Sequence, residues 1–209
     1  MTKKRRTSKK RKSGSNYTSR NVNTREVRQS FLIVCEGEQT EPNYFRSFDV
    51  NASVRVVGSG DNTMGVVEKA IELREDEEYD QVWCVFDRDS FPPERFNSAL
   101  AKAKNKNINV AYSNEAFELW YLLHFNYYDT AISRHDYQKM LTELLDGKYQ
   151  KNSKTMYEEL ESRQPDAIRN AKTLLLKQNY PANPAWDNPS TTVHLLVEQL
   201  NRFLRGKRS

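Results

Sequence analysis

The chain has 209 residues, 37% of them hydrophobic and 29% charged, a balance that excludes collagen-like and wholly disordered chains. No apolar run approaches the roughly 18 residues of a bilayer span, and no apolar signal core follows the cationic N-terminus, so a soluble, unsecreted, cytoplasmic protein with no membrane partner is expected. The net charge of +5 hides a division, because residues 1–28 hold 11 Lys and Arg against the single acid Glu26, while residues 29–209 hold 22 basic and 27 acidic side chains.

The basic leader, about residues 1–29, has almost no aliphatic content and cannot offset its ordering entropy by burial, so disorder is expected there. It reads either as a solubilising leader or as a polycation for nucleic-acid phosphates, carried by Lys3, Lys4, Arg5, Arg6, Lys9, Lys10, Arg11 and Lys12. From Ser30 the pattern changes. SFLIVC (30–35) predicts a buried strand, NYFRSF (43–48) a short helix and ASVRVV (52–57) a second strand. A helix over 64–78, capped by Asn62 or Thr63, follows from the apolar spacing of Val66, Val67, Ala70, Ile71 and Leu73. QVWCVF (81–86) predicts a third strand, Pro92-Pro93 opens a helix to about Lys104, and INVAYS (108–113) predicts a fourth. Cys35 and Cys84 lie inside apolar runs and read as small core residues.

Strands alternating with helices indicate right-handed crossovers and a parallel sheet covered on both faces. The α/β unit is expected over 30–113. Residues 114–209 read as a helical region packed on it, with helices near 115–125, 134–146, 154–162, 165–179 and 190–205, the last capped by Ser190 or Thr191, and with no strand of comparable strength.

Open parallel sheets bind ligands beyond the carboxyl ends of their strands. The first strand ends at Glu36, followed by Glu38 and Glu41; the third at Asp87 and Asp89; the fourth runs into Glu115 and Glu118. In a 2-1-3-4 strand order Glu36 would meet the Asp87/Asp89 pair. Converging carboxylates repel one another unless a cation neutralises them, and an all-oxygen donor set favours Mg²⁺ or Mn²⁺. Such ions orient an attacking water and polarise a scissile phosphate. Each acid alone has a structural reading as a loop residue or helix cap; the acid run from Glu72 to Asp80 reads as a solvated face. Arg88 could clamp a phosphate or pair with a carboxylate. His124, inside LWYLLHF, reads as a buried histidine rather than a base, and His135 and His194 have no partner at useful spacing. Phe117, Trp120, Tyr121 and Phe125 read as core. No phosphate loop of the G-x-x-x-x-G-K-[ST] type, no G-x-S-x-G elbow and no H-E-x-x-H helix is present.

The elements VCEGEQTEPNYF (34–45), VFDRDSF (85–91), SNEAFELWYLLHF (113–125) and NPSTTVHLLV (188–197) resemble the RloB family of bacterial defence-associated proteins over about residues 30–200. The first two are also similar to the Toprim pattern, a Glu-Gly after strand one and D-x-D after strand three. The resemblance implies an α/β fold with a Toprim-like parallel four-stranded sheet of order 2-1-3-4 and a helical C-terminal extension. It also implies Mg²⁺- or Mn²⁺-dependent endonuclease chemistry on DNA, tRNA or another RNA, and pairing with an ABC-type or AAA-type ATPase in antiphage defence. Glu36 takes the Toprim glutamate role, Asp87 and Asp89 the metal pair, and Glu118 matches an element peculiar to the RloB-like group; Glu38, Glu41 and Arg88 are additional site candidates. The rival reading is a non-catalytic nucleic-acid-binding or adaptor subunit. The helical half is expected to serve regulation and docking, because it offers no convergent acid or histidine set.

Overall fold

The computed structural model describes residues 28–88, 92–147, 149–178 and 182–206. The basic leader and Asp89 lie outside the described residues. The elements in chain order are β1 (Ser30–Cys35), α1 (Thr40–Arg46), β2 (Ser53–Gly58), α2 (Thr63–Asp76), β3 (Gln81–Arg88), α3 (Pro93–Asn105), β4 (Asn109–Asn114), α4 (Glu118–Leu122), α5 (Arg134–Leu144), α6 (Met156–Leu160), α7 (Gln164–Leu176), β5 (Ser190–Thr191) and α8 (Val193–Asn201). A single 3₁₀ turn, Glu161–Arg163, joins α6 to α7.

The sheet has five strands in the order β2-β1-β3-β4-β5, the first four parallel and the last antiparallel. The expected four-stranded sheet is therefore corrected: Ser190 and Thr191, read from sequence as caps of the last helix, form an added edge strand against Ser113 and Asn114. The helix starts at Val193, and Thr191 still contributes to that start, its Oγ1 accepting from the Val193 N–H at 3.2 Å. Two residues are too few to show a period of two, which is why no strand was legible there.

Strand alternation divides the core. Phe31, Ile33 and Cys35 of β1 with Trp83 and Val85 of β3 face one side, where they pack against α1, α4, α7 and α8; Leu32, Val34, Val82, Cys84 and Phe86 face the other, under α2 and α3. Both cysteines are buried free thiols. Asn62 caps α2, its Oδ1 accepting from the N–H groups of Met64 and Gly65 at 3.1 and 3.2 Å, and Pro93 occupies the first turn of α3, as expected. The C-terminal helices bury their apolar stripes on the sheet, with Val193, Leu196, Val197 and Leu200 fully enclosed. The first helix begins earlier than expected, at Thr40, and so draws Glu41 into its first turn.

Candidate metal-binding cleft

A cleft of about 540 Å³ opens beyond the carboxyl ends of β1 and β3. β1 ends at Cys35, opposite Val85, while β3 runs on to Arg88, and the Glu36 N–H donates to the Val85 carbonyl at 2.8 Å. Glu36 then turns its side chain toward β3, where Oε2 accepts the backbone N–H of Asp87 at 3.0 Å. The next residue, Gly37, leaves room for the Glu41 carboxylate, which would have to move aside for a Cβ at this position. Gly58 has a similar constraint from the other side: a Cβ there would lie 2.7 Å from the Cα of Glu38, so β2 can end close against the turn after β1 only without a side chain.

Among the described residues six carboxylates line the cleft, Glu36, Glu38, Glu41, Asp61, Asp87 and Glu118, against two cations, Arg134 and Lys151. Glu41 and Glu118 are 6% and 3% exposed and the Asp87 side chain 17%, so this is not a solvated acidic face. Burial first, then the neighbouring Glu41, hold the Asp87 carboxyl well above the usual aspartate range, with Arg134 pulling the other way. Burial is also the main cause that raises Glu41, offset by nearby backbone N–H groups and increased by Glu118. Glu118 is held by two donors from the helical half, the Tyr149 hydroxyl at 2.9 Å and the Gln138 amide at 3.3 Å. Arg134, the first residue of α5, places its Nη2 3.6 Å from Asp87 Oδ2 and donates from the same nitrogen to the Glu115 carbonyl at 3.1 Å. Lys151 belongs to a strap whose backbone is latched to α1, the Thr40 hydroxyl donating to the Lys151 carbonyl at 2.8 Å.

The structure thus brings together Glu36, Asp87, Glu41 and Glu118, with the exposed Glu38 at the rim. Arg88 is not in this cleft. Alternation along β3 sends it to the opposite face from Asp87, where its Nε donates to the Ala185 carbonyl at 3.0 Å and its side chain borders a second cavity over α2 and α3. That alternation was a signal available in the sequence. Residues 126–205, which offer no convergent acid or histidine set in the sequence, nevertheless reach this cleft, since Arg134, Lys151 and Asn152 form one wall of it. Their contribution depends on how α5 and the following strap pack, which no local pattern announces.

The three histidines stand apart from the cleft lining. His124 is buried with its Nδ1 on the Trp120 carbonyl at 2.9 Å, and burial pushes it down to about 4. His194 is likewise buried and lowered to about 4 by burial.

Among the described residues no three His, Cys, Asp or Glu side chains are gathered into a ready-made cation cage. The donor chemistry nevertheless fits a hard divalent ion, because all the candidate ligands are oxygens and two of them, Asp87 and Glu41, are raised first by burial and then by their acidic neighbours, a cost that a cation would relieve.

The order of the motifs along the chain agrees with a comparison against protein families, in which the model described as RloB-like protein matches residues 31–200. The chain belongs to the RloB-like family. The matched span begins at β1, takes in every strand of the sheet and both walls of the cleft, and closes within α8. No curated protein and no solved structure gives a significant match. No helix among the described residues is long and apolar enough to cross a membrane.

Proposed function

We propose that the cleft holds Mg²⁺ or Mn²⁺ and hydrolyses phosphodiester bonds of DNA or RNA, in a Toprim-like arrangement, as the effector of an antiphage system that works with an ABC-type or AAA-type ATPase. The observation that carries this reading is the clamp from Glu36 Oε2 to the Asp87 N–H, which sets the ends of two adjacent parallel strands at one half-buried cleft shared with Glu41 and Glu118. Glu36 and Asp87, with Asp89 two residues on, would hold the ion, and Glu118 would complete the donor set on the helical side. When bound, the ion supplies Lewis acidity toward a phosphate oxygen and lowers the pKa of a water. Glu41, whose carboxyl is raised by burial, lies in the same cleft and is the candidate to take a proton from an attacking water.

The test is cleavage of plasmid DNA, tRNA and single-stranded RNA by the full chain with its ATPase partner, in Mn²⁺ or in EDTA. Glu36→Gln, Asp87→Asn and Asp89→Asn should each lower metal-dependent cleavage by about 100-fold or more, exceeding the 10–100-fold typical of residues that only support metal ligands. Full cleavage by all three variants would overturn the reading.

One observation favours the non-catalytic alternative, a nucleic-acid-binding or adaptor subunit. Among the described residues the lining carries a formal excess of four negative charges, which repels a phosphate backbone when no cation is bound. On that reading nucleic acid binds through the basic residues of the leader, from Lys3 to Lys12, and binding is indifferent to EDTA and to the three variants while falling steeply with salt.

A further inference from the structure

Arg134 is placed where helix physics disfavours it. It is the first residue of α5, a helix of 11 residues whose amino end is capped by Ser133, the Ser133 Oγ accepting from the Asp136 N–H at 3.2 Å. Positive charge at a helix N-terminus opposes the macrodipole, and an acid is the stabilising choice there. The guanidinium is aimed into the cleft instead. It is anchored at one nitrogen by the Glu115 carbonyl and stands 3.6 Å from Asp87 Oδ2, longer than a hydrogen bond, with 38% of the side chain still open to solvent.

Resting on the metal-nuclease reading above, we propose that Arg134 is an exchangeable counter-ion. In the metal-free cleft it partly neutralises Asp87; when a divalent cation takes Asp87, the guanidinium passes to a non-bridging oxygen of the substrate phosphate. The planar fork of arginine suits both acceptors, a carboxylate and a phosphate. Its backbone anchor on Glu115 does not depend on either, so the arm stays in place during the exchange. This makes Arg134 a substrate-positioning residue that competes with the metal, a role distinct from that of a ligand.

The proposal predicts opposite effects on two binding measurements made with the full chain. Arg134→Gln should bind Mn²⁺, followed by electron paramagnetic resonance, on the order of 10-fold more tightly than the parent chain, because a neighbouring positive charge has been removed. The same variant should bind short single-stranded DNA or RNA, measured by fluorescence anisotropy in Ca²⁺, on the order of 10-fold more weakly. Arg134→Lys keeps the charge but not the fork, so it should leave Mn²⁺ affinity near the parent value and still weaken the oligonucleotide. A merely structural role would move both affinities down together, and unchanged Mn²⁺ affinity in Arg134→Gln would overturn the exchange. Absence of Mn²⁺ binding by the parent chain is a separate outcome that would overturn the metal reading and this inference with it.

Discussion

The carboxylate of Glu36 and the backbone N–H of Asp87 are joined across 3.0 Å, although 51 positions separate them in the chain. This bond ties the ends of β1 and β3 and fixes one carboxylate oxygen. Glu36→Gln retains an oxygen that can accept the same N–H, so its unfolding free energy should stay within about 1 kcal/mol of the parent, whereas Glu36→Ala strands a partly buried donor and should cost about 1–3 kcal/mol. Both should lose Mn²⁺ binding. Urea unfolding of the two variants side by side, with Mn²⁺ titrations, checks this; equal destabilisation would mean that the hydrogen bond is not what the glutamate supplies.

The Tyr149 hydroxyl is a donor at any working pH, since burial and then Glu118 raise it far above the ordinary tyrosine range. Tyr149→Phe removes the shorter of the two bonds to Glu118. The expected result is a loss of metal affinity of about 10-fold, the size typical of groups that orient a ligand. Isothermal titration with Mn²⁺ measures it, and a variant indistinguishable from the parent would remove Glu118 from the donor set.

Thr191 is fully buried, and its Oγ1 meets the Tyr112 carbonyl at 2.9 Å, the Ser113 hydroxyl at 3.0 Å and the Val193 N–H at 3.2 Å. Thr191→Val keeps the shape and deletes that hub, so it should destabilise the chain by about 1–3 kcal/mol. Thr191→Ser should retain most of the stability. Thermal unfolding of the pair decides whether β5 is anchored through this oxygen or through its two backbone positions alone.

Acid should weaken the fold through His124 and His194. Both rings are lowered by burial to about 4 from 6.5, so the unfolded chain takes up protons at a higher pH than the folded one. Their contribution is complete above about pH 6.5 and is lost as pH falls toward and through 4, amounting to up to about 3 kcal/mol per ring. The cleft works in the opposite sense: with Glu41 and Asp87 raised from 4.5 and 3.8, the folded chain holds their protons longer, and stability from them fades as pH rises. Melting temperatures between pH 4.5 and 7 should therefore depend less steeply on acid in His194→Leu. In EDTA, Asp87→Asn should raise the melting temperature at pH 7; no gain there would show that the carboxylate cluster carries no repulsive cost.

The contrast between Glu36 and Arg134 shows what could be read before folding. Glu36 and Asp87 end apolar runs that are buried on both faces, and the general position of ligands at strand ends points to them directly. Gly37 added a steric reason that becomes visible only once the α1 turn folds Glu41 back against it. Glu118 is legible as an acid beyond the fourth strand and through the resemblance, whereas the groups that hold it, Gln138 and Tyr149, lie 20 and 31 positions away and are not. Arg134 and Lys151 carried no signal at all: an isolated cation in a polar stretch looks the same whether it faces solvent or a cleft. Arg88 was the reverse case, attractive by adjacency to Asp87 and directed elsewhere by the pleat.

The apolar side of β1 and β3 that receives α4, α7 and α8 has a consequence for how any control over the cleft can operate. Phe31, Ile33 and Val85 are at most 1% exposed, and they share one continuous core with Leu119, Trp120, Leu160, Leu196 and Leu200. Swinging those helices aside would bare side chains worth roughly 1.5–3 kcal/mol each, so the helical half cannot act as a hinged door and a chain cut at residue 113 would not leave a working remainder. Gating, if a partner imposes it, has to act at the mouth, on the short strap around Lys151 and Asn152, which side-chain hydrogen bonds from Thr40 and Asn43 hold to α1. A partner that pried up only that strap could change access to the cleft without disturbing the core beneath it.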